Sequence, residues 1–119
     1  MKSSTSTFTP FSVVFPYKGG AYLFRPEQII RLQSESNYTY IYTTDHKPIL
    51  MAKVLAEYES MLKPLGFIRT HRSHLVNRMH VSHIQCTGTI KMDDDSIADI
   101  SRRKRKMVRE ALHSSHHAA

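Results

Sequence analysis

Short apolar and β-branched runs, separated by polar turn residues, dominate the pattern along this chain. Runs at 12–15 and 21–24 flank a turn containing two glycines, and "IIRL" is a further candidate strand. The densest strand pattern is "NYTYIYTT", residues 37–44, which is rich in threonine, tyrosine and isoleucine. A turn at 45–47 and a returning strand at 48–52 follow it.

The period changes to that of a helix in "VLAEYESMLKPLG", residues 54–66. Apolar residues recur there at helical spacing, and Pro64 and Gly66 end the element. The next stretch, 67–77, alternates only in part and predicts a strand followed by a loop. The stretch 80–86 predicts a strand with Val81 and Ile84 directed inward.

The C-terminal part predicts a strand at 87–92, an acidic turn at 93–95, a strand at 96–101 and then a basic, helix-prone segment. We therefore expect a mainly β fold of short strands, with one central helix and a short C-terminal helix. The pattern lacks the alternation of strands and helices that nucleotide-binding folds show.

The chain has 119 residues and a formal net charge of +7, with a pI of about 9.8. This length suits a single domain, and we expect it at 12–113, between a flexible tail at 1–11 and a disordered tail at 114–119. No apolar run approaches the roughly 20 residues of a membrane helix, and we recognise no signal peptide. The single cysteine, Cys86, fits a reducing cytoplasm.

"FIRTHRSHLVNRMHV", residues 67–81, concentrates histidine and arginine and raises three alternatives: catalysis, metal binding or polyanion binding. Catalysis is disfavoured because Ser73 and its histidine neighbours would point to opposite faces of a strand, and 60–92 contains no carboxylate. We predict no enzymatic activity. A metal site is disfavoured because the cysteine is isolated and arginines repel cations, so we predict no metal or cofactor. The candidate ligands are His71, His74, His80 and His83.

A polyanion fits better, because arginine offers forked donors to phosphates and to the guanine edge. A second basic run, "RRKRKMVR", covers 102–109. Such a run is commonly just a solvated helix face. Two separate basic clusters on a chain of net charge +7 favour one binding surface built from both.

The stretch 67–81 is similar to the central signature of the LytTR family, the DNA-binding output domain of many bacterial regulators of the LytR/AgrA type. "SESNYTYIYT" and "DISRRKRKMV" resemble its flanking segments, so the resemblance spans about residues 12–112. The matching signature residues are Phe67, Arg69, His71, Arg72, Ser73, Leu75, Val76, Asn77 and Val81.

The resemblance implies short antiparallel sheets around a small helix, with double-stranded DNA contacted by loops and turns. It implies base contacts by Arg72 and Arg102, phosphate contacts by Ser73 and Arg105, and a third contact at Asn37 or Tyr38. Alternatively, His71 and Asn77 shape this contact loop and do not touch the DNA. The complete set of expected DNA-binding residues is Asn37, Tyr38, Arg69, Arg72, Ser73, His74, Asn77, Arg78, Arg102, Arg103, Arg105 and Lys106.

The resemblance also implies partners. Family members bind paired direct repeats, so a second copy would sit beside the first on DNA, and many carry a receiver domain. This sequence holds none, and a stand-alone regulator and a piece of a longer chain both remain open. The alternative function is a LytTR-like protein-interaction module that binds a partner regulator and has only weak nonspecific DNA affinity. No membrane partner is expected.

Histidines beside the contact loop would gain positive charge as the pH falls through about 6.5. We therefore expect DNA affinity to rise modestly at low pH through His71, His74 and His80. The competing interpretation of His71 is a buried, neutral core residue.

Overall fold

The computed structural model describes residues 11–115, which form ten strands and two α-helices. The predicted mainly β fold is confirmed, whereas residues 1–10 and 116–119 of the two predicted tails lie outside the described residues. The second helix continues to Ser115, into the stretch assigned to the C-terminal tail. The elements are β1 Val13–Tyr17, β2 Gly20–Phe24, β3 Ile29–Glu35, β4 Tyr38–Thr43, β5 Ile49–Met51, α1 Leu55–Leu62, β6 Phe67–His71, β7 His74–Asn77, β8 Val81–Gln85, β9 Thr89–Met92, β10 Ile97–Asp99 and α2 Arg105–Ser115.

The strands form three antiparallel sheets. A five-stranded sheet has the order β5-β4-β3-β7-β6, a three-stranded sheet has the order β10-β9-β8, and β1 and β2 form a hairpin. Strand β3 is central, because it pairs with β4 on one side and with β7 on the other. Leu32 of β3 lies opposite both Ile41 and Leu75.

The five-stranded sheet is covered on both faces. One face packs against α1 and the β1–β2 hairpin, and the residues of this core include Phe15, Ile29, Leu32, Ile41, Leu55, Tyr58, Leu62, Phe67 and Leu75. The three-stranded sheet and α2 lie over part of the other face, and this second core includes Ile68, Val76, Ile90, Met92, Ala98, Ile100, Val108 and Leu112. Burial of apolar area on both faces supplies the main stabilisation of the fold.

The stretch 67–77 is a β-hairpin, so the predicted loop after its first strand is wrong. Strand β7 is paired with β3 and β6, and all four of its residues are buried. Leu75 faces the first core and Val76 faces the second. A strand covered on both faces has no polar side, and the alternation that identifies half-buried strands is therefore missing.

Val81 and Ile84 both pack against the second core, as predicted, although three residues separate them. A regular strand would place them on opposite faces. The β8–β9 pairing shifts register between Val81 and His83, and this bulge turns both side chains inward. Within residues 11–115, neither helix has the length and apolarity needed to cross a membrane.

Candidate nucleic-acid interface

Three segments meet at one end of the five-stranded sheet: the β3–β4 turn, the β6–β7 turn and the segment after β10. The Ser34 amide donates to the Ser73 carbonyl at 2.9 Å, which joins the first two. The Ser101 amide donates to the Thr70 carbonyl at 2.8 Å, which joins the third. We call this surface the basic end, and its residues are Asn37, Tyr38, Arg72, Ser73, Arg102, Arg103, Lys104, Arg105 and Lys106.

The β3–β4 turn is tight, since Glu35 and Tyr38 are already paired across it. Ser36 occupies the left-handed region, with φ of 57°. This conformation is uncommon for a residue with a side chain and marks a sharp reversal. Asn37 is exposed at the tip, and Tyr38 is 48% exposed. Both are therefore accessible to a ligand.

Arg69 holds the β6–β7 turn from inside. Its Nε donates to the His71 carbonyl at 2.9 Å, and its Nη2 donates to the Arg72 carbonyl at 2.6 Å. Its Nη1 bonds Glu59 at 2.6 Å. Three of the five N–H groups of the guanidinium are thus engaged within the protein, so Arg69 supports the turn, and its DNA contact stays a prediction. The Arg72 side chain, in contrast, is exposed at the tip.

The segment after β10 is anchored to the same strand. Lys104 Nζ donates to the Arg69 carbonyl at 3.2 Å, while Arg102 and Arg103 are exposed. A groove lined in part by Arg72, Arg103 and Lys104 runs between the two basic segments. Lys104 lies inside the basic run but was not among the predicted DNA-binding residues. Its anchoring contact could not be read from a run of like charges.

Arg105 packs against the β8–β9 turn. Its guanidinium lies over Gly88, where the Cβ of any other residue would collide with it. Gly88 also has φ of +93°, a conformation that favours glycine. Lys106 is exposed at the start of α2.

Two predicted DNA contacts are buried instead. His74 is 6% exposed and Asn77 is 1% exposed. The Asn77 amide donates to the Pro26 and Ile29 carbonyls at 3.0 and 2.8 Å, and its Oδ1 accepts from the Met79 amide at 3.0 Å. Both side chains are buried, so the direct contacts predicted for these two residues do not agree with the structure. Asn77 holds the turn that follows β7, at the other end of that strand from the contact loop that it was alternatively expected to shape.

Arg78 lies at the other end of β7 from Ser73. Five residues of extended chain span about 16 Å. The Arg78 side chain is half-buried and packs against Gly66. The structure therefore does not bring Arg78 together with the other predicted contacts at the basic end.

His74 is held neutral. Its pKa is lowered to about 4, mainly by burial and to a smaller extent by the nearby Arg31 guanidinium. His80 bonds the Glu27 carbonyl at 2.6 Å and lies near Asp93, away from the basic end. His71 does lie there, but its Nδ1 accepts the Ser73 amide at 3.0 Å. Two of the three histidines expected to strengthen DNA binding at low pH are therefore badly placed to do so.

The low pKa of His74 predicts a pH-dependent stability. The unfolded chain takes up a proton at this residue near pH 6.5, whereas the folded chain resists it until about pH 4. The contribution of neutral His74 to the free energy of unfolding is thus complete above pH 6.5, and it is lost as the pH falls from 6.5 towards 4. Urea unfolding of wild type and His74→Gln between pH 7.5 and 4.5 should show a shallower pH dependence in the variant. His83→Gln, at an exposed position, is the control, and equal slopes for wild type and His74→Gln would contradict the assignment.

Arg31 is a structural residue that the sequence analysis missed. It is 6% exposed, donates from Nε to the Ser96 hydroxyl at 2.9 Å and lies 4.1 Å from the centre of the Tyr42 ring. It therefore links the five-stranded sheet to the β9–β10 turn. An arginine inside an apolar strand run, "IIRL", was the available signal. Among the described residues, no three His, Cys, Asp or Glu side chains are grouped to hold a metal ion.

Comparisons with known proteins agree with this architecture. A solved LytTr DNA-binding domain from Bacillus cereus superposes with a TM-score of 0.71 at 23% identity, covering 88% of this chain and 99% of that one. The transcriptional regulatory protein LytR of Staphylococcus aureus strain COL is 34% identical over 64 residues, which are 54% of this chain and 26% of the relative. The protein of the same name from strain USA300 matches equally.

The matched stretch thus spans about a quarter of the length of these curated relatives. The sequence profile of the LytTr DNA-binding domain matches residues 19–113, which include every strand from β2 onward and most of α2. On the profile match and the shared fold, the chain belongs to the LytTr DNA-binding domain family.

Proposed function

We propose that this chain is a sequence-specific duplex DNA-binding domain of a transcriptional regulator that reads bases from turns. The observation that carries the proposal is the placement of Arg72 and Arg102. Both are exposed, and they project from two segments that are bonded to the same strand, β6. Two arginines held at one end of a rigid sheet form a surface that can address neighbouring bases in a groove.

The mechanism divides the basic end into two kinds of contact. Arg72 and Arg102 present forked donors that suit the O6 and N7 atoms of guanine. Ser73 and Arg105 contact phosphates and fix the register of the protein on the duplex without reading sequence. Helix α2 packs on the second core through Val108 and Leu112, so its position relative to the basic end is fixed.

We predict a strong dependence of DNA binding on salt. If about four to six phosphates are neutralised by the basic end, log affinity falls against log salt with a slope of roughly −4 to −5. The net charge of +7 supports this expectation. Fluorescence anisotropy with one labelled duplex, at five potassium chloride concentrations, measures the slope. A slope near zero would contradict the electrostatic mechanism.

Selection of bound sequences from a pool of random duplexes tests specificity itself. The proposal expects one enriched motif, whose scrambled version binds much more weakly at equal salt. Recovery of no motif, together with salt-dependent binding to every duplex, would contradict it. That result would favour the alternative of a protein-interaction module with weak nonspecific DNA affinity.

We further propose that two copies bind paired direct repeats, with a receiver domain or a partner regulator supplying the signal, in the cytoplasm where the bacterial chromosome lies. A receiver domain or a partner regulator would lie outside the matched stretch, which covers only 26% of the length of the relatives. Band shifts with one and two copies of the selected motif test the repeat arrangement. A single complex of one protein copy on both duplexes would overturn it.

A further inference from the structure

A cavity of about 400 Å³ lies between the end of α1, strand β6 and helix α2. This volume falls in the usual range of small-molecule sites, roughly 300–1,000 Å³. We call it the interhelix cavity. Its principal lining residues are Lys63, Phe67, Arg78, Lys104, Met107 and Ala111.

The cavity carries an excess of cations. Among the described residues that line it, the one carboxylate is that of Glu59, which is already bonded to Arg69 at 2.6 Å. Arg78 Nε is buried and has no hydrogen-bond partner in the described part of the chain. Buried donors are nearly always satisfied, by protein, by water or by a ligand. An anionic group in the cavity would satisfy Arg78 and be attracted by Lys63 and Lys104.

Most of the remaining wall is apolar, with Phe67 on β6 and Met107 and Ala111 on α2. A bare phosphate would leave this apolar wall uncovered. A ligand that combines one anionic group with an apolar body would use both parts of the wall, as small-molecule sites commonly do.

We infer that the interhelix cavity binds a small apolar molecule with a single anionic group, and that its occupancy weakens DNA binding. The second part rests on the proposed function. Lys104 and Arg69 line the cavity, and they also hold the two arginine-bearing segments of the basic end. An anion that engages Lys104 competes with its bond to the Arg69 carbonyl and cancels positive charge beside the DNA. Ligand and DNA therefore oppose each other, and the linkage is reciprocal.

The binding test uses 2-naphthoate as the probe and the full chain without DNA, by isothermal titration calorimetry. Neutral 2-naphthamide tests the anionic group, and inorganic phosphate tests the apolar body. Naphthoate is expected to bind at least tenfold more tightly than either. No saturable binding of naphthoate, or phosphate or amide binding of equal strength, would overturn the proposed ligand class.

Variants locate the site. Lys63→Met removes an exposed cavity lysine and should weaken naphthoate binding at least fivefold, and Arg78→Met should do the same. Lys47→Met, at an exposed lysine between β4 and β5, is the matched control and should bind as wild type does. Thermal melts verify that each variant is folded. Unchanged naphthoate affinity in folded Lys63→Met and Arg78→Met would overturn the placement.

The coupling test measures DNA affinity with and without saturating naphthoate, at constant ionic strength. Wild type is expected to lose at least threefold in affinity for the selected duplex, and Lys63→Met should lose less at the same naphthoate concentration. Equal affinity with and without naphthoate would overturn the coupling. Failure of the protein to bind any duplex would instead overturn the proposed function, while the calorimetric result for the cavity would stand.

Discussion

Replacing Asn77 with alanine is expected to lower the free energy of unfolding by about 3 kcal/mol. The side chain makes three buried hydrogen bonds to backbone groups, two as a donor and one as an acceptor. Alanine leaves the Pro26 and Ile29 carbonyls and the Met79 amide without this partner, and each unsatisfied buried group costs on the order of 1 kcal/mol or more. Small domains have only about 5–15 kcal/mol of stability in total, so this loss is large.

Urea or thermal unfolding measures the effect, which corresponds to a fall in Tm of about 10 °C. The control is Asn37→Ala, at an exposed turn position, where the change should stay within about 0.5 kcal/mol. If Asn77→Ala were as stable as wild type but failed to bind DNA, Asn77 would be a contact residue after all.

Arg72→Ala and Arg102→Ala are each expected to weaken binding to the selected duplex by about 1–3 kcal/mol, which is roughly 5- to 150-fold. The loss should be much smaller on a scrambled duplex, because a base contact contributes only where the correct base is present. Both side chains are exposed, so stability should be nearly unchanged. Anisotropy titrations on both duplexes measure the effect.

Lys106→Ala is the matched comparison for these two variants, since it removes one exposed positive charge at the edge of the same surface. A phosphate contact carries no sequence information, so this variant should weaken cognate and scrambled duplexes alike. Equal losses on both duplexes for Arg72→Ala and Arg102→Ala would show that neither arginine reads bases.

The residue pattern alone predicted those strands and helices that have one face buried in the core and the other face towards water. In β4, Thr39, Ile41 and Thr43 are buried while the tyrosines between them are more accessible, and the alternation was visible in the sequence. In α1 the buried residues are Leu55, Tyr58 and Leu62, which follow the helical period. The basic character of the interface was likewise present in composition, and the signature at 67–81 identified the family.

Tertiary structure decided the roles of individual residues within that signature. His74, Asn77 and Arg69 have the side-chain chemistry of DNA contacts, yet the first two are buried and Arg69 makes three bonds within the protein. The surroundings of His74 and Asn77 come largely from β3 and the three-stranded sheet, which are distant in sequence, whereas Arg69 bonds Glu59 of the preceding helix and its own turn. Periodicity reports the environment of a segment only when one side of it faces water, so a strand covered on both faces, such as β7, conceals which polar residues are structural.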